Sequence, residues 1–526
     1  MEQDTRPEAA RILPPPPPPP SQEKALEAGA VEPSQLARAR ARATCAQCVV
    51  AGAVFLLSAG AGFPIGYSAV ALPQLRAPNS SLLTDNDMGS WIASIHSAAT
   101  PVGAFASGVL TERVGRRAAL QLTALPFVAG WALVALARSH AVLLAGRAVA
   151  GLAVGLSAAP AQVLISEVAE PRNRGALAGT PMVSYSLGIL CVYALGAALP
   201  WRAVAWLGTA LPLAALAALA LVPESPTWLV RRGRLPQASK ALRWLRGGSV
   251  AAPLAQREFE QLVARLRSEE TRGEAEAEAE AAPRPPEGCL RAFSRPDVYK
   301  PFFIVVTLNI MQIFSGTYLV IFYAVDLLEK ANAGMDEALA AVLTAAVRVV
   351  FTAVACGLLS WTGRRALALS SGLTSGLAAV AMGSALYVRD GDAQGQGSDP
   401  YAAIVVGCLL VYMAANTCGF FVLPLITIGE LLPAKVRGLA GGYIFASFNL
   451  ALFAATKVFP SVTSEIGAHG VFWVFGIASL TGTVFIYLAL PETKGQSLAQ
   501  IEDYFRGKNF LWVTRHKYRS PEAPKV

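Results

Sequence analysis

Apolar residues run in twelve stretches of about twenty along the chain, at 49–71, 88–110, 118–137, 141–163, 176–198, 203–222, 299–323, 338–360, 366–388, 401–427, 438–459 and 468–490. A helix crossing a hydrocarbon core about 30 Å thick needs about 20 such residues. Each stretch therefore predicts a transmembrane helix. The longest polar segment, 223–298, divides the stretches six and six. The pattern predicts an all-α membrane protein with twelve transmembrane helices.

The polar junctions repeat. Glu167 precedes Arg174-Gly175 by seven positions and Glu430 precedes Arg437-Gly438 by the same seven, with 263 positions between the copies. Gly115-Arg116-Arg117 returns as Gly363-Arg364-Arg365, and Pro223-Glu224-Ser225-Pro226 returns as Pro491-Glu492-Thr493-Lys494-Gly495. Three paired phrases in one order predict a duplicated half, hence two pseudo-symmetric six-helix bundles. A membrane chain so built is expected to rock its halves around a central site. The expected divisions are a disordered cytosolic tail (1–44), a first bundle (45–222), a cytosolic linker with short helices (223–298), a second bundle (299–490) and a C-terminal tail (491–526).

Composition agrees. Charged residues are 15% and hydrophobic ones 54% of 526 residues, whereas a soluble domain carries about 25% charge. The net charge of +9 invites a nucleic-acid reading, but its placement argues for orientation. Loops 111–117, 164–175, 361–365 and 428–437 carry nine Arg or Lys, while the six loops on the other side carry five. By the positive-inside bias both termini and the linker are cytosolic, and no nucleic-acid partner is expected. The one sequon, Asn79-Ser80-Ser81, falls in the first exterior loop, so Asn79 is the expected glycosylation site. No cleavable signal peptide precedes the first span, which is expected to act as an uncleaved anchor. The cell membrane is the expected location, with a vesicular membrane as the alternative.

Cys45, Cys48 and Cys289 fall on the cytosolic side and Cys191, Cys356, Cys408 and Cys418 within spans, which implies no disulfide framework. Cys45-x-x-Cys48 lacks a second ligand pair and reads as ordinary thiols rather than a metal site. No cofactor is expected. Pro14 to Pro20 mark an extended tail that a cytosolic proline-binding module would fit. Leu235 to Leu245 and Glu258 to Leu266 show helical periodicity. The Glu-Ala alternation 274–281 with Pro283 to Pro286 reads as a flexible tether. Leu498, Ile501 and Phe505 at helical spacing predict an interfacial helix.

Charges at the ends of spans are the candidate gating elements. Arg116, Arg117, Arg147, Glu167, Arg174 and Glu224 in the first half, with Arg364, Arg365, Glu430, Arg437 and Glu492 in the second, predict a cytosolic latch. Unpaired charges near hydrocarbon cost about 2.5–3.5 kcal/mol at a helix centre, so these groups are expected to find each other. Ion pairs that form on closure and part on opening make the bistable element that alternating access needs. The alternative is that the arginines only set orientation.

These motifs, with Gly146-Arg147-x3-Gly151-x3-Gly155, Pro226-x-Trp228-Leu229 and Gly429-Glu430-Leu431-Leu432-Pro433, resemble the sugar porter signatures of the major facilitator superfamily over about residues 45–510. Glu430 to Gly438, and Thr456-Lys457 after Ser447-Phe448-Asn449, look closest to the facilitated trehalose transporter branch, with facilitative glucose transporters nearly as close. The resemblance implies the major facilitator fold and a sugar site at mid-membrane between the bundles.

Several positions depart from that pattern. The seventh span reads Gln312-Ile313-Phe314-Ser315-Gly316-Thr317-Tyr318 and keeps one glutamine of the family's pair; Met182 occupies the glutamine position of the fifth span; Asn449-Leu450 stands where the family has Asn-Trp. Each hydrogen bond to a hydroxyl is worth about 0.5–1.5 kcal/mol, so several such losses together are expected to lower ordinary glucose affinity. Arg348, where the family commonly has asparagine, has three readings: it bonds sugar hydroxyls, holds an anionic substrate, or pairs with a buried acid such as Glu430. Gln312, Tyr318, Asn309, Asn416 and Asn449 join Arg348 as candidate substrate-binding residues, and Pro424 is the candidate hinge of the tenth span. His96 reads as a hydrogen-bonded packing residue.

No acidic or basic residue lies in Val49 to Ala71 and no phosphate-binding loop appears. The expected function is therefore facilitative transport of trehalose or a hexose by a monomer, uncoupled from protons or ATP. The alternatives are a carrier for another polyol or small organic anion, and a sugar sensor that does not transport. No catalytic constellation points to an enzyme.

Overall fold

A computed structural model of the chain describes residues 33–170, 174–248, 252–281, 295–331, 336–391, 401–433, 437–496 and 498–506. Among the described residues, twelve helices lie at the expected spans and alternate in direction: α1 (Pro33–Arg76), α2 (Asn86–Val114), α3 (Arg116–Ala135), α4 (His140–Val168), α5 (Arg174–Ala198), α6 (Trp201–Leu221), α7 (Pro296–Phe322), α8 (Glu337–Trp361), α9 (Arg364–Gly391), α10 (Ala402–Leu431), α11 (437–466) and α12 (468–489). The last two form one run, Arg437–Ala489, broken at Gly467, whose φ of 69° and ψ of 175° are not helical. α2 is missing from the runs apolar enough to cross a membrane. It buries Ser90, Ser94, Ser97, Thr100 and Ser107 instead, and packs closely on α4. A Cβ added to Gly151 of α4 would lie 2.2 Å from the carbonyl oxygen of His96. Small residues let helices approach this closely where lipid provides no hydrophobic drive.

Two segments differ from expectation. Residues 33–44 belong to α1 rather than to a disordered tail, because Ala and Arg alternate there and both are strong helix formers. The Glu-Ala stretch 274–281 continues the helix Ala252–Ala281 for the same reason. Pro14 to Pro20, Cys289 and Pro283 to Pro286 lie outside the described residues. Short helices do occur at Pro226–Arg231, Leu235–Leu245 and Leu498–Arg506. The last buries Ile501 and Phe505 against the second half.

The core is asymmetric along the helix axes. Towards the end carrying the α1–α2 loop (the far end), one apolar cluster runs through both halves and includes Tyr67, Trp131, Tyr193, Phe322, Tyr323 and Phe459. Towards the end carrying Arg116 and Arg364 (the basic end), each half has its own cluster, one around Leu120, Phe127 and Leu164, the other around Ile304, Leu431 and Ile444.

Candidate transport site and gates

At the basic end the duplicated motifs build the same cluster twice. Gly115 has a φ of 108° and ends α2 immediately before α3. The first turn of α3 leaves backbone N–H groups without helical partners. Arg116 and Arg117 donate theirs to Glu224 Oε1 at 2.9 Å and Ala118 donates to Oε2 at 3.2 Å. A carboxylate there also meets the positive end of the helix dipole. In the second half Arg364 and Arg365 donate their N–H groups to Glu492 at 2.9 and 3.1 Å. A Cβ on Gly363 would lie 2.1 Å from Glu492 Oε2, so glycine is what admits the carboxylate. The Gly-Arg-Arg phrase is thus the socket and the Pro-Glu phrase supplies the plug.

The arginine side chains complete each cluster. Arg116 is buried and donates to Glu167 at 3.1 Å, to Glu112 at 3.0 Å and to the Thr111 carbonyl at 3.2 Å. Ser225 caps Glu167 from the linker. Arg364 donates to Glu430 at 3.1 Å and to the Leu359 carbonyl at 3.0 Å, and Thr493 caps Glu430 at 2.5 Å. Arg117 and Arg365 reach the carbonyls of Ala220 and Tyr487 near the ends of α6 and α12. Each pair therefore binds helix ends within one half. The side chains of Arg174 and Arg437 lie outside the described residues. Glu492→Gln is expected to destabilise the detergent-solubilised protein by about 1–3 kcal/mol, the scale of a charge-assisted hydrogen-bond loss. An unchanged melting temperature would count against the plug.

Arg147 does not belong to this end. It lies two turns into α4 from the far end, fully buried, and donates to the Ile92 carbonyl at 3.0 Å, to Ser68 Oγ at 2.7 Å and to the Pro64 carbonyl. Its guanidinium ties α1, α2 and α4 together. The alternation of helix directions puts the start of α4 opposite the start of α3, which the motif alone conceals. His96 is buried, but neither ring nitrogen has a partner.

The halves are joined by charge at the far end. Arg76 of α1 pairs at 2.6 Å with Asp326 of the short helix Ala324–Ala331 that follows α7, and Lys457 of α11 pairs with Asp87 of α2 at 2.5 Å. Lys457 also donates to Ser90 Oγ at 2.7 Å and lies 4.6 Å from the Trp91 ring centre. A cavity of about 570 Å³ lies between these pairs. Neither Lys457 nor Asp326 stands out in the sequence as a gate; their pairing requires the tertiary arrangement. Asn79 is exposed in the loop at this end.

Midway between the ends, two helices are broken and meet. α7 stops at Phe314, turns through Ser315 and Gly316 (φ 83°), and resumes at Leu319. α10 passes from Ala402–Asn416 through a π-helical turn, Thr417–Phe421, to Leu423–Leu431. Pro424 sits in the first turn of the last piece, where its missing N–H costs nothing; the irregular turn precedes it. The breaks are laced together. Tyr412 donates to the Ser315 carbonyl, Thr317 Oγ1 donates to Asn416 Oδ1 at 2.6 Å, and Asn416 Nδ2 donates to Ser315 Oγ at 3.2 Å. Broken helices at membrane depth are tolerated where they are buried in protein or line a cavity, and they mark binding sites in transporters.

The candidate binding residues divide here. Asn416, Tyr318, Gln312 and Arg348 gather at the breaks: Gln312 donates to the Phe421 carbonyl at 3.4 Å, the Tyr318 ring lies 6.0 Å from Phe421 and 5.4 Å from Phe448, and Arg348 donates to the Thr317 carbonyl at 3.2 Å. Asn309 and Asn449 instead return their amides to Val305 and Phe445, one turn back on their own helices. Glu430 is taken by Arg364 and Thr493, and the suggested Arg348–Glu430 pair is not formed. Tyr185 and Tyr193 of α5 face the same seam from the first half, with Tyr193 donating to the Ile321 carbonyl at 2.6 Å. Their eight-residue spacing on one helix face was the available signal. Tyr185, Tyr318, Phe421 and Phe448 together form an aromatic surface at this seam.

Residues 49–505 match the family described as Sugar (and other) transporter. The Facilitated trehalose transporter Tret1-2 homolog of Drosophila simulans is 32% identical over 470 residues, 89% of this chain and 93% of that protein. The Facilitated trehalose transporter Tret1 of Apis mellifera ligustica is 32% identical over 464 residues, 88% of both chains. The Drosophila yakuba Tret1 is 33% identical over 464 residues, but the match spans only 52% of that longer protein. Two structures of the xylose transporter XylE share the fold. The inward-open form from E. coli has a TM-score of 0.67 at 20% identity, covering 87% of this chain and 99% of that one. The form bound to 6-bromo-6-deoxy-D-glucose has a TM-score of 0.68 at 22% identity, covering 88% and 99%. The architecture is that of the major facilitator superfamily, and with its match running through all twelve helices the chain belongs to the Sugar (and other) transporter family.

Proposed function

We propose that this protein is a facilitative uniporter of trehalose or a hexose, working by alternating access without proton or ATP coupling. One observation carries the reading: the helix breaks of α7 and α10 meet at the seam between two repeated halves, with a shared core on one side of them and separate cores on the other. Rocking the halves about that seam exchanges which end is closed. The first bundle (45–222) and the second (299–490) are the moving bodies, and the linker 223–298 tethers them. The Glu–Arg clusters lie within one half each, so they do not part on opening; they hold each set of helix ends together as the halves move, and in that sense they act as the cytosolic latch. Pro424 and the π-turn before it form the hinge of α10. The termini face the cytosol of a cell-surface or vesicular membrane, Asn79 carries the glycan, and the carrier acts as a monomer.

Vesicles containing the full chain are expected to take up labelled trehalose, glucose or fructose down a gradient, at a rate unchanged by a proton ionophore. Uptake abolished by the ionophore would replace the uniport reading with proton coupling. Binding of sugar without flux would make the protein a sensor. Glu167→Ala is expected to raise the reactivity of cysteines engineered at the basic end. Unaltered reactivity would remove the latch.

A further inference from the structure

Among the described residues, Arg147 and Arg348 are buried completely within the membrane-spanning helices, and their surroundings differ in one decisive respect. Arg147 lies inside the first half, and all three of its nitrogens donate, to Ile92, Pro64 and Ser68. It is a finished structural contact. Arg348 is 1% exposed at the middle of α8, and its Nη2 donates to the Thr317 carbonyl freed by the break in α7, but its Nη1 has no partner. The titratable groups around it are tyrosines, Tyr185 and Tyr193 from the first half and Tyr318 and Tyr412 from the second, with no carboxylate among them. Its guanidinium carbon lies 5.1 Å from the centre of the Phe421 ring.

We propose that Arg348 anchors a carboxylate, so that the central site takes sugar acids, small polyhydroxylated monoanions, alongside neutral sugars. The proposal rests on reading this seam as the sugar site. An unpaired cation at membrane depth is costly, and a buried donor left empty adds to that cost. A sugar hydroxyl can accept from Nη1 but leaves the charge uncompensated. A carboxylate accepts from the guanidinium fork and neutralises it in one contact. The count of charges selects the ligand: one guanidinium balances one carboxylate, whereas a phosphate dianion would carry an unmatched charge into the seam. The hydroxyl-bearing ring of a sugar acid then meets the aromatic faces of Tyr318, of Phe421 at 6.0 Å from it and of Phe448 at 5.4 Å from it. Tyr193 and Tyr412 already spend their protons on the Ile321 and Ser315 carbonyls, which leaves the Arg348 guanidinium as the donor that meets the anion. Because the ligand is charged and the carrier is not coupled to protons, its flux is expected to follow the membrane potential.

The test compares glucuronate with its neutral isostere glucuronamide as inhibitors of labelled glucose uptake into vesicles containing the full chain. Wild-type protein is expected to prefer glucuronate at least tenfold. Arg348→Gln is expected to erase that preference, and Arg348→Lys to keep part of it, whatever happens to the absolute rate. Equal inhibition by acid and amide in the wild type, or a preference that survives Arg348→Gln, overturns the proposal. The wild-type comparison decides alone if Arg348→Gln fails to fold. If no glucose uptake is seen, thermal stabilisation of the purified full chain by the two compounds reads the same preference. Stabilisation by glucuronate alone would then support the anion anchor while the neutral-sugar reading falls, and equal or absent stabilisation would overturn the anchor.

Discussion

Gly316→Ala is expected to reduce sugar uptake tenfold or more and to lower the melting temperature. Gly316 holds φ at 83°, and a Cβ there would lie 2.5 Å from both Phe475 Cδ2 and Tyr412 Oη. The left-handed backbone costs an L residue about 1–2 kcal/mol, and forcing a methyl into packed aromatic rings adds about 1–3 kcal/mol. Phe475 and Tyr412 must both yield, and the Tyr412 hydroxyl caps the Ser315 carbonyl. Moving it releases the lacing between the two broken helices, so function suffers as well as stability. Uptake and melting measured on the same preparation separate the two losses. Wild-type uptake with a normal melting temperature would show that the break in α7 tolerates a side chain and is not the pivot.

Lys457→Glu is expected to shift the carrier towards the form open at the far end. Lys457 pairs with Asp87, donates to Ser90 and covers the Trp91 ring, all across the seam between halves. The Asp87 side chain is 76% exposed, so solvent screens the pair and it contributes about 0–1 kcal/mol. The contact with the Trp91 ring adds about 0.5–1 kcal/mol. Reversal replaces attraction with repulsion, for a total near 2 kcal/mol, or about a thirtyfold change in the balance of the two forms. Cysteines placed around the far-end cavity are expected to react faster in Lys457→Glu, and Asp87→Lys in the same chain is expected to restore the wild-type rate in part, since the contact with the Trp91 ring stays lost. High salt should shrink the difference. Reaction rates indifferent to both changes would mean that the apolar core at that end keeps it shut without help from charge.

The twelve spans and their division were legible because lipid imposes a local rule that each crossing must satisfy by itself. The duplicated phrases were legible too, and Gly363-Arg364-Arg365 with Glu492 shows why. A glycine socket, a helix start and a carboxylate are a stereochemical unit whose parts cannot vary independently. Arg147 shows where such reading stops. Its motif placed it among charges at the basic end, while the direction of α4 carries it to the far side, where three carbonyl and hydroxyl oxygens from α1 and α2 receive it. Asn309 and Asn449 looked equivalent to Asn416 as polar groups at membrane depth. Only Asn416 faces the break, because the rotation of each helix is set by its neighbours.

By itself, then, the sequence determined a twice-repeated helical membrane carrier, since hydropathy, spacing and paired motifs act over short distances along the chain. The tertiary structure alone decided which helices break, which charges cross the seam, and that Arg348 meets four tyrosines and, among the described residues, no acid. Those outcomes depend on contacts between residues far apart in the chain, where partners are chosen by packing and burial rather than by local pattern.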